Sequence, residues 1–212
     1  MCGAKGMAVA GVLVFLLAGC ATVDIRQARV ASGRVTDAAG PVADTPVVVV
    51  GRSLDLVSTR LQYEERGRQE VRTATDAQGR YRLVFIPGNL GNNFYLFFYD
   101  KTGFDGVKYR RPEPLDITPL LRRDRDVTVN QVLQFVPSWP EVERQIAFYG
   151  PESEQGKILR KFGLPDRRER PGSGEDSEVW WYYADGVSYW FTGGRLTSTQ
   201  QFQPIPEATP AR

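Results

Sequence analysis

Short apolar runs separated by turn residues fill the chain from Val30 to Phe135. Val30–Val35 is the first. Val47–Val50 is a continuous β-branched run, the pattern of a strand buried on both faces. Val71–Thr75 follows. Arg80–Ile86 alternates, placing Tyr81, Leu83 and Phe85 on one face of a strand. Phe94–Tyr99 and Val127–Phe135 complete the set, with Val127, Val129 and Val132 as core candidates. Turn chemistry punctuates these runs at Asp37-Ala38-Ala39-Gly40-Pro41, Asp76-Ala77-Gln78-Gly79 and Pro87-Gly88. Many short strands at turn spacing predict a β-sandwich over residues 30–136. Two polar tracts interrupt it, Ser53–Glu70 and Asp105–Asp126. Each reads either as a binding loop or as a thermodynamically cheap surface insertion.

After Pro137–Pro140, read as a linker, the apolar period lengthens. Val142, Ile146 and Tyr149 fall on one side of a helical segment, Glu141–Tyr149. Ser153 is placed to cap a second helix whose apolar face is Ile158, Leu159 and Phe162, and Gly163 to end it. A polar loop, Asp166–Glu178, comes next. Three strands then follow, Val179–Tyr183, Val187–Phe191 and Leu196–Phe202, joined by the hairpin turns Asp185-Gly186 and Gly193-Gly194. Residues 137–203 therefore predict a small α+β unit with a three-stranded antiparallel meander, and residues 204–212 a disordered tail. The fold class expected for the whole is mainly β.

The N-terminus has another pattern. Lys5 precedes an apolar run from about Met7 to Ala18, too short for a bilayer-spanning helix of roughly 20 residues. The run closes on Leu17-Ala18-Gly19-Cys20. This stretch resembles the lipobox of bacterial lipoproteins. The resemblance implies removal of residues 1–19 by cleavage between Gly19 and Cys20, and a lipid thioether on Cys20 as the only attached group, with no other cofactor. Residues 20–29 would link the anchor to the sandwich. Ala21 in place of Asp implies export to the outer membrane, facing the periplasm. Two or three acyl chains at about 0.8 kcal/mol per buried CH₂ hold firmly where one is marginal.

Composition removes whole classes of chemistry. The chain has no His, which excludes Ser-His-Asp and Cys-His catalysis and the usual zinc ligand sets. Its 2 cysteines are Cys2 and Cys20. Loss of Cys2 with the leader and lipidation of Cys20 leave no thiols for a disulfide. The formal net charge is +2, and Lys5 supplies one of these charges within the leader. Such a balance gives no argument for nucleic-acid binding. Arginines cluster at Arg60, Arg66, Arg68 and Arg72, and at Arg110, Arg111, Arg122, Arg123 and Arg125. Interleaved acids make these read as a solvated surface, with contact to lipid phosphates as the alternative.

Two further resemblances rest on short motifs. Gly33-Arg34-Val35-Thr36-Asp37, Gly40-Pro41, Val47–Val49, Thr75-Asp76 with Gly79-Arg80-Tyr81, and Ile86-Pro87-Gly88 resemble the carboxypeptidase regulatory-like family of transthyretin-like sandwiches. That family implies an accessory module, and no peptidase activity transfers to a chain without His. The Ser153 helix, Phe162-Gly163-Leu164-Pro165, Trp181-Tyr182-Tyr183 and Phe191-Thr192-Gly193-Gly194-Arg195-Leu196 resemble the SmpA/OmlA family of small lipoproteins in outer-membrane barrel assembly.

Trp180 to Tyr183 and Tyr189 to Phe191 put aromatic residues on both faces of adjacent strands. They read either as cross-strand packing or as a binding face of Trp180, Trp181, Tyr183 and Trp190. Gly172-Ser173-Gly174 lacks the Lys and preceding strand of a phosphate loop. No catalytic group is found, and no metal site. The expected function is a non-enzymatic, membrane-anchored adaptor or stabiliser of an outer-membrane complex, with an envelope protein as partner. The alternative is a module binding a glycan or peptide.

Overall fold

A computed structural model describes residues 26–57, 62–100, 103–171 and 176–205. The leader, Gly19 and Cys20 lie outside the described residues. So do Gly172, Ser173 and Gly174. The chain is mainly β, as its patterning predicts. Its strands are β1 (Arg29–Asp37), β2 (Gly40–Pro41), β3 (Pro46–Val57), β4 (Gln62–Ala74), β5 (Arg80–Phe85), β6 (Asn93–Phe97), β7 (Leu115–Asp116), β8 (Asp126–Thr128), β9 (Gln131–Val132), β10 (Arg167–Glu169), β11 (Ser177–Tyr182), β12 (Val187–Thr192) and β13 (Arg195–Gln201). The helices are α1 (Thr118–Arg123), α2 (Trp139–Tyr149) and α3 (Glu154–Phe162). Among the described residues no helix is long and apolar enough to cross a membrane.

Two sheets enclose the first core. In one, β1 lies between β5, which is antiparallel to it, and β8 and β9, which are parallel. The other runs β4-β3-β6-β7 and is antiparallel throughout. Alternation aims Ala31 and Val35 from β1, Val47 and Val49 from β3, Tyr81, Leu83 and Phe85 from β5, and Phe94 and Leu96 from β6 into one cluster. This gives a sandwich-like layering.

The Thr75–Tyr81 motif has a clear physical basis. The Asp76 carboxylate accepts from the Gln78 and Arg80 amides at 2.9 and 2.8 Å, which closes the turn. Gly79 has φ 70, and a Cβ there would stand 2.3 Å from the Val35 carbonyl oxygen, so only glycine fits. Tyr81 then donates its hydroxyl to the Val129 carbonyl at 2.7 Å inside the core. Burial pushes the Tyr81 hydroxyl far above its ordinary pKa, so it stays protonated and donating. Tyr81→Phe leaves that carbonyl without its donor. Its expected cost is about 1–2 kcal/mol, read as a lower urea midpoint with unchanged slope.

Several expectations are corrected here. Ser53–Glu70 does not form a loose connection. β3 and β4 stay paired from Pro46↔Ala74 to Val57↔Gln62, with one register shift between Ser53 and Leu54. The backbone ladder does not need an apolar pattern. Asp105–Asp126 is not a free loop either, because it supplies buried Tyr109, Ile117 and Leu121 to the core. Val132 is 62% exposed, and Leu133 is buried in its place. Val127, Val129 and Leu133 fall on one parity of the segment and Val132 on the other. Arg29 is no linker residue: it begins β1 and donates to the Asp124 carbonyl.

The second core lies between the helices and the sheet β10-β11-β12-β13. As expected, the Ser153 hydroxyl caps α3, accepting from the Gly156 amide at 2.9 Å. Gly163, at φ 80, ends it. The meander gains a fourth strand, β10, inside what reads as the polar loop Asp166–Glu178. Helix α2 begins at Trp139, within the expected linker, with Pro140 in its first turn. Pro204 and Ile205 do not belong to a disordered tail. The Ile205 amide donates to the Tyr183 carbonyl at 2.9 Å.

Candidate binding faces

Strand alternation divides the aromatic candidates of the C-terminal sheet. Trp180 is 0% exposed and faces the helices. Its ring meets Phe191 at 4.9 Å and Tyr149 at 5.4 Å, and the Arg168 guanidinium lies 4.6 Å from its centroid. Trp180 is therefore removed from any binding face. Tyr182 shares this side and donates to the Gly163 carbonyl at 3.0 Å, which ties the sheet to the end of α3.

Trp181, Tyr183 and Trp190 take the opposite side. The register pairs Val179 with Trp190, and Trp181 with Ser188. Directly paired residues share a face, so Trp190 and Trp181 flank Val179 and Ser188. Both small side chains are buried beneath this layer. Phe202 extends it, 5.7 Å from Trp181 and 6.4 Å from Tyr183. Trp181, Tyr183, Trp190 and Phe202 are each half-buried. The Trp190 indole donates to the Ser188 hydroxyl at 3.3 Å. The indole N–H groups of Trp180 and Trp181 are both buried with no hydrogen-bond partner among the described residues. Trp180 lies in the core, so an unpartnered indole N–H does not by itself set the outer face apart. The sequence pattern does not single out Phe202. Its one signal is its position just after β13, the strand that pairs with β12.

A third cluster leaves no mark in the sequence pattern. It joins the sandwich to α2. Tyr109 stacks on Phe135 at 5.5 Å, and Phe135 meets Trp139 at 6.4 Å. The Lys108 ammonium lies 4.9, 5.6 and 5.5 Å from the Tyr109, Phe135 and Trp139 rings. Its charge is answered by Asp37, 3.7 Å away. Asp37 also accepts from the Tyr109 hydroxyl at 2.7 Å and from the Ala39 and Gly40 amides. Burial alone would raise the Asp37 pKa. The Tyr109 hydroxyl, the two amides and Lys108 outweigh it and hold the carboxyl below its ordinary value. Tyr109 is pushed above its ordinary range by burial and by the Asp37 charge.

These groups form a structural joint. Every member is satisfied within the cluster, and neither Asp37 nor Tyr109 is poised to exchange a proton near neutrality. The sign of the linkage follows. A depressed Asp37 contributes stability above the ordinary carboxylate range and loses it as the pH falls through the folded-state value. Asp37→Asn is expected to lower the melting temperature at neutral pH and to flatten its decline below about pH 4. Melting curves of both proteins across that range check this.

No family model matches this sequence, and no curated protein matches it. Two solved structures overlap it loosely. The 3-chlorocatechol 1,2-dioxygenase of Rhodococcus opacus 1CP is 14% identical over 52% of this chain and 60% of that one, with a TM-score of 0.28. The 9R-lipoxygenase of Cyanothece PCC8801 is 11% identical over 85% of this chain and 43% of that one, with a TM-score of 0.32. The chain thus spans less than two thirds of either. Scores this low do not establish a shared fold, and neither likeness bears on activity.

Proposed function

We propose that this chain is a lipid-anchored envelope protein that works by binding, as an adaptor or stabiliser of an outer-membrane complex. Leu17-Ala18-Gly19-Cys20 supports the anchor, and Ala21 supports the outer membrane, periplasmic side. The contact surface is the outer face of the C-terminal sheet, with Trp181, Tyr183, Trp190 and Phe202 as its apolar body. The observation that carries this reading is the half-buried aromatic layer that these four side chains form on the side of the sheet away from the helices. A half-buried aromatic layer is suited to a partner supplying apolar contact. The likeness of the helix–meander unit to the SmpA/OmlA family agrees with an assembly role, and the likeness of the sandwich to regulatory-like modules with an accessory one.

In-cell crosslinking and purification from detergent-solubilised membranes tests the proposal. Wild type is expected to retain envelope proteins in fixed ratio. A Trp181→Ala, Trp190→Ala variant that remains folded is expected to lose them. Recovery of wild type alone, or equal recovery by the variant, overturns the contact surface.

A further inference from the structure

The outer face of the β4-β3-β6-β7 sheet carries a groove of about 590 Å³. This volume is within the range of ligand sites. Val48 and Val50, both buried, and Phe97 form its floor, between flanking polar side chains. The strand register orders what lies along it. Arg72, Val48 and Phe97 make one row, and Glu70, Val50 and Tyr95 the next. Arg68, Arg52 and Asn93 make the third. Beyond the first row stands Tyr99, with Arg111 on its ring at 5.0 Å.

Four arginines line this groove against Glu70 and Asp100. The acids do not neutralise it evenly. Glu70 is bound to Arg72, and Asp100 lies 3.9 Å from the same guanidinium. Among the described residues neither Arg68 nor Arg111 has a carboxylate partner. Arg52 has only Glu65, at 3.8 Å, and its buried Nε makes no hydrogen bond. Arg52 and Arg68 are direct cross-strand partners on one face. Like charges in that position repel, so the sheet holds an unfavourable pair that a bridging anion would turn favourable.

Both ends are also pre-organised. Arg52 lies 5.0 Å from the Tyr95 ring, and Arg111 lies 5.0 and 5.9 Å from Tyr99 and Phe104. The ring beside each guanidinium restricts its position, and the terminal N–H groups of an arginine suit a two-point contact with an oxyanion. Backbone donors and acceptors lie in the plane of the sheet, so this face presents side chains, and the charged groups among them that lack a carboxylate partner are donors. The matching ligand is rich in acceptors. The Arg52 row and the Val48 row are four residues apart, about 13 Å along the strand, with Arg111 farther still. A single small anion cannot reach both ends.

We propose that this groove binds a chain-like oxyanion carrying at least two phosphate or carboxylate groups. One is held between Arg52 and Arg68 and another at Arg111. The site is on a different sheet from the Trp181 face. Partner recovery can therefore fail while this proposal holds, and the reverse.

Titration calorimetry on the full lipidated chain in neutral detergent tests it, with long-chain polyphosphate and tetragalacturonate as probes and orthophosphate and galacturonate as their single-unit counterparts. At least one chain is expected to bind roughly tenfold or more tighter than its own unit. Polyphosphate alone binding marks a phosphate ligand, and tetragalacturonate alone an acidic sugar. Arg52→Gln with Arg68→Gln, and separately Arg111→Gln, is expected to weaken that binding about tenfold. Arg68→Lys should fall between, since it keeps charge without the planar fork. Arg122→Gln with Arg123→Gln, both exposed on α1, should change little. Without ligand, the Arg52, Arg68 double variant should melt at the same temperature or higher, which separates lost binding from lost folding. Equal binding of chain and unit overturns the proposal. So does an equal loss in the α1 variant, which would mean attraction by net charge alone.

Discussion

Trp180→Ala is expected to produce the largest loss of stability of any single aromatic change in the C-terminal sheet, about 3–5 kcal/mol. The indole is fully buried against Phe191 and Tyr149, between sheet and helices, with Arg168 on one face. Its removal leaves a cavity that the paired strands cannot collapse to fill, and leaves Arg168 without its ring. Trp181→Ala, one residue on, removes a half-buried ring from the opposite face and should cost clearly less. Hydrogen exchange locates the effect. Amides of β11 and β12 should exchange much faster in Trp180→Ala, while those of β1 and β5 keep their protection. Similar losses for both substitutions would mean that the two faces are equally packed, which would remove the basis for a contact surface at Trp181.

The second large effect concerns attachment. Cys20→Ser removes the thiol that a lipobox requires. On the lipoprotein reading the chain then carries no acyl group and is not cut before residue 20. Two or three acyl chains give firm attachment, one gives marginal attachment and none gives none, at about 0.8 kcal/mol per buried CH₂. Wild type is expected almost entirely in the washed membrane fraction and to gain labelled palmitate. The variant should take up no label. Label in the variant, or none in wild type, would contradict the lipid anchor.

The strands of the sandwich are legible where one face is apolar and the other polar. Tyr81, Leu83 and Phe85 alternate with Arg80, Arg82 and Val84, and β5 follows that parity. The Thr75–Tyr81 turn is legible because carboxylate, glycine and tyrosine each perform a separate local task there. The β3–β4 arm is not, since a backbone ladder pairs its residues whatever side chains they carry. Trp180 and Trp181 cannot be told apart from sequence, because a run of aromatics fits either parity. Only the Trp180↔Tyr189 register and the helices above it decide which side is core. The joint is hidden for another reason. Asp37, Lys108-Tyr109 and Phe135 with Trp139 come from three distant stretches, and no local pattern shows that one lysine will sit among three rings. The arginine groove is half visible. Arg68, Arg72 and Arg111 stand out as clusters diluted by acids, but which arginines the acids neutralise depends on cross-strand geometry.

Site-specific photocrosslinking in living cells tests the central claim most directly. A photoreactive residue replaces Trp190 on the outer face of the C-terminal sheet, or Arg122 on α1 as the off-face control. A lipid-anchored adaptor acting through this face predicts one discrete, membrane-dependent crosslinked envelope protein from position 190. It predicts none from position 122, and loss of the product when Cys20 is changed to Ser. No product from position 190, or the same products from both positions, would contradict it.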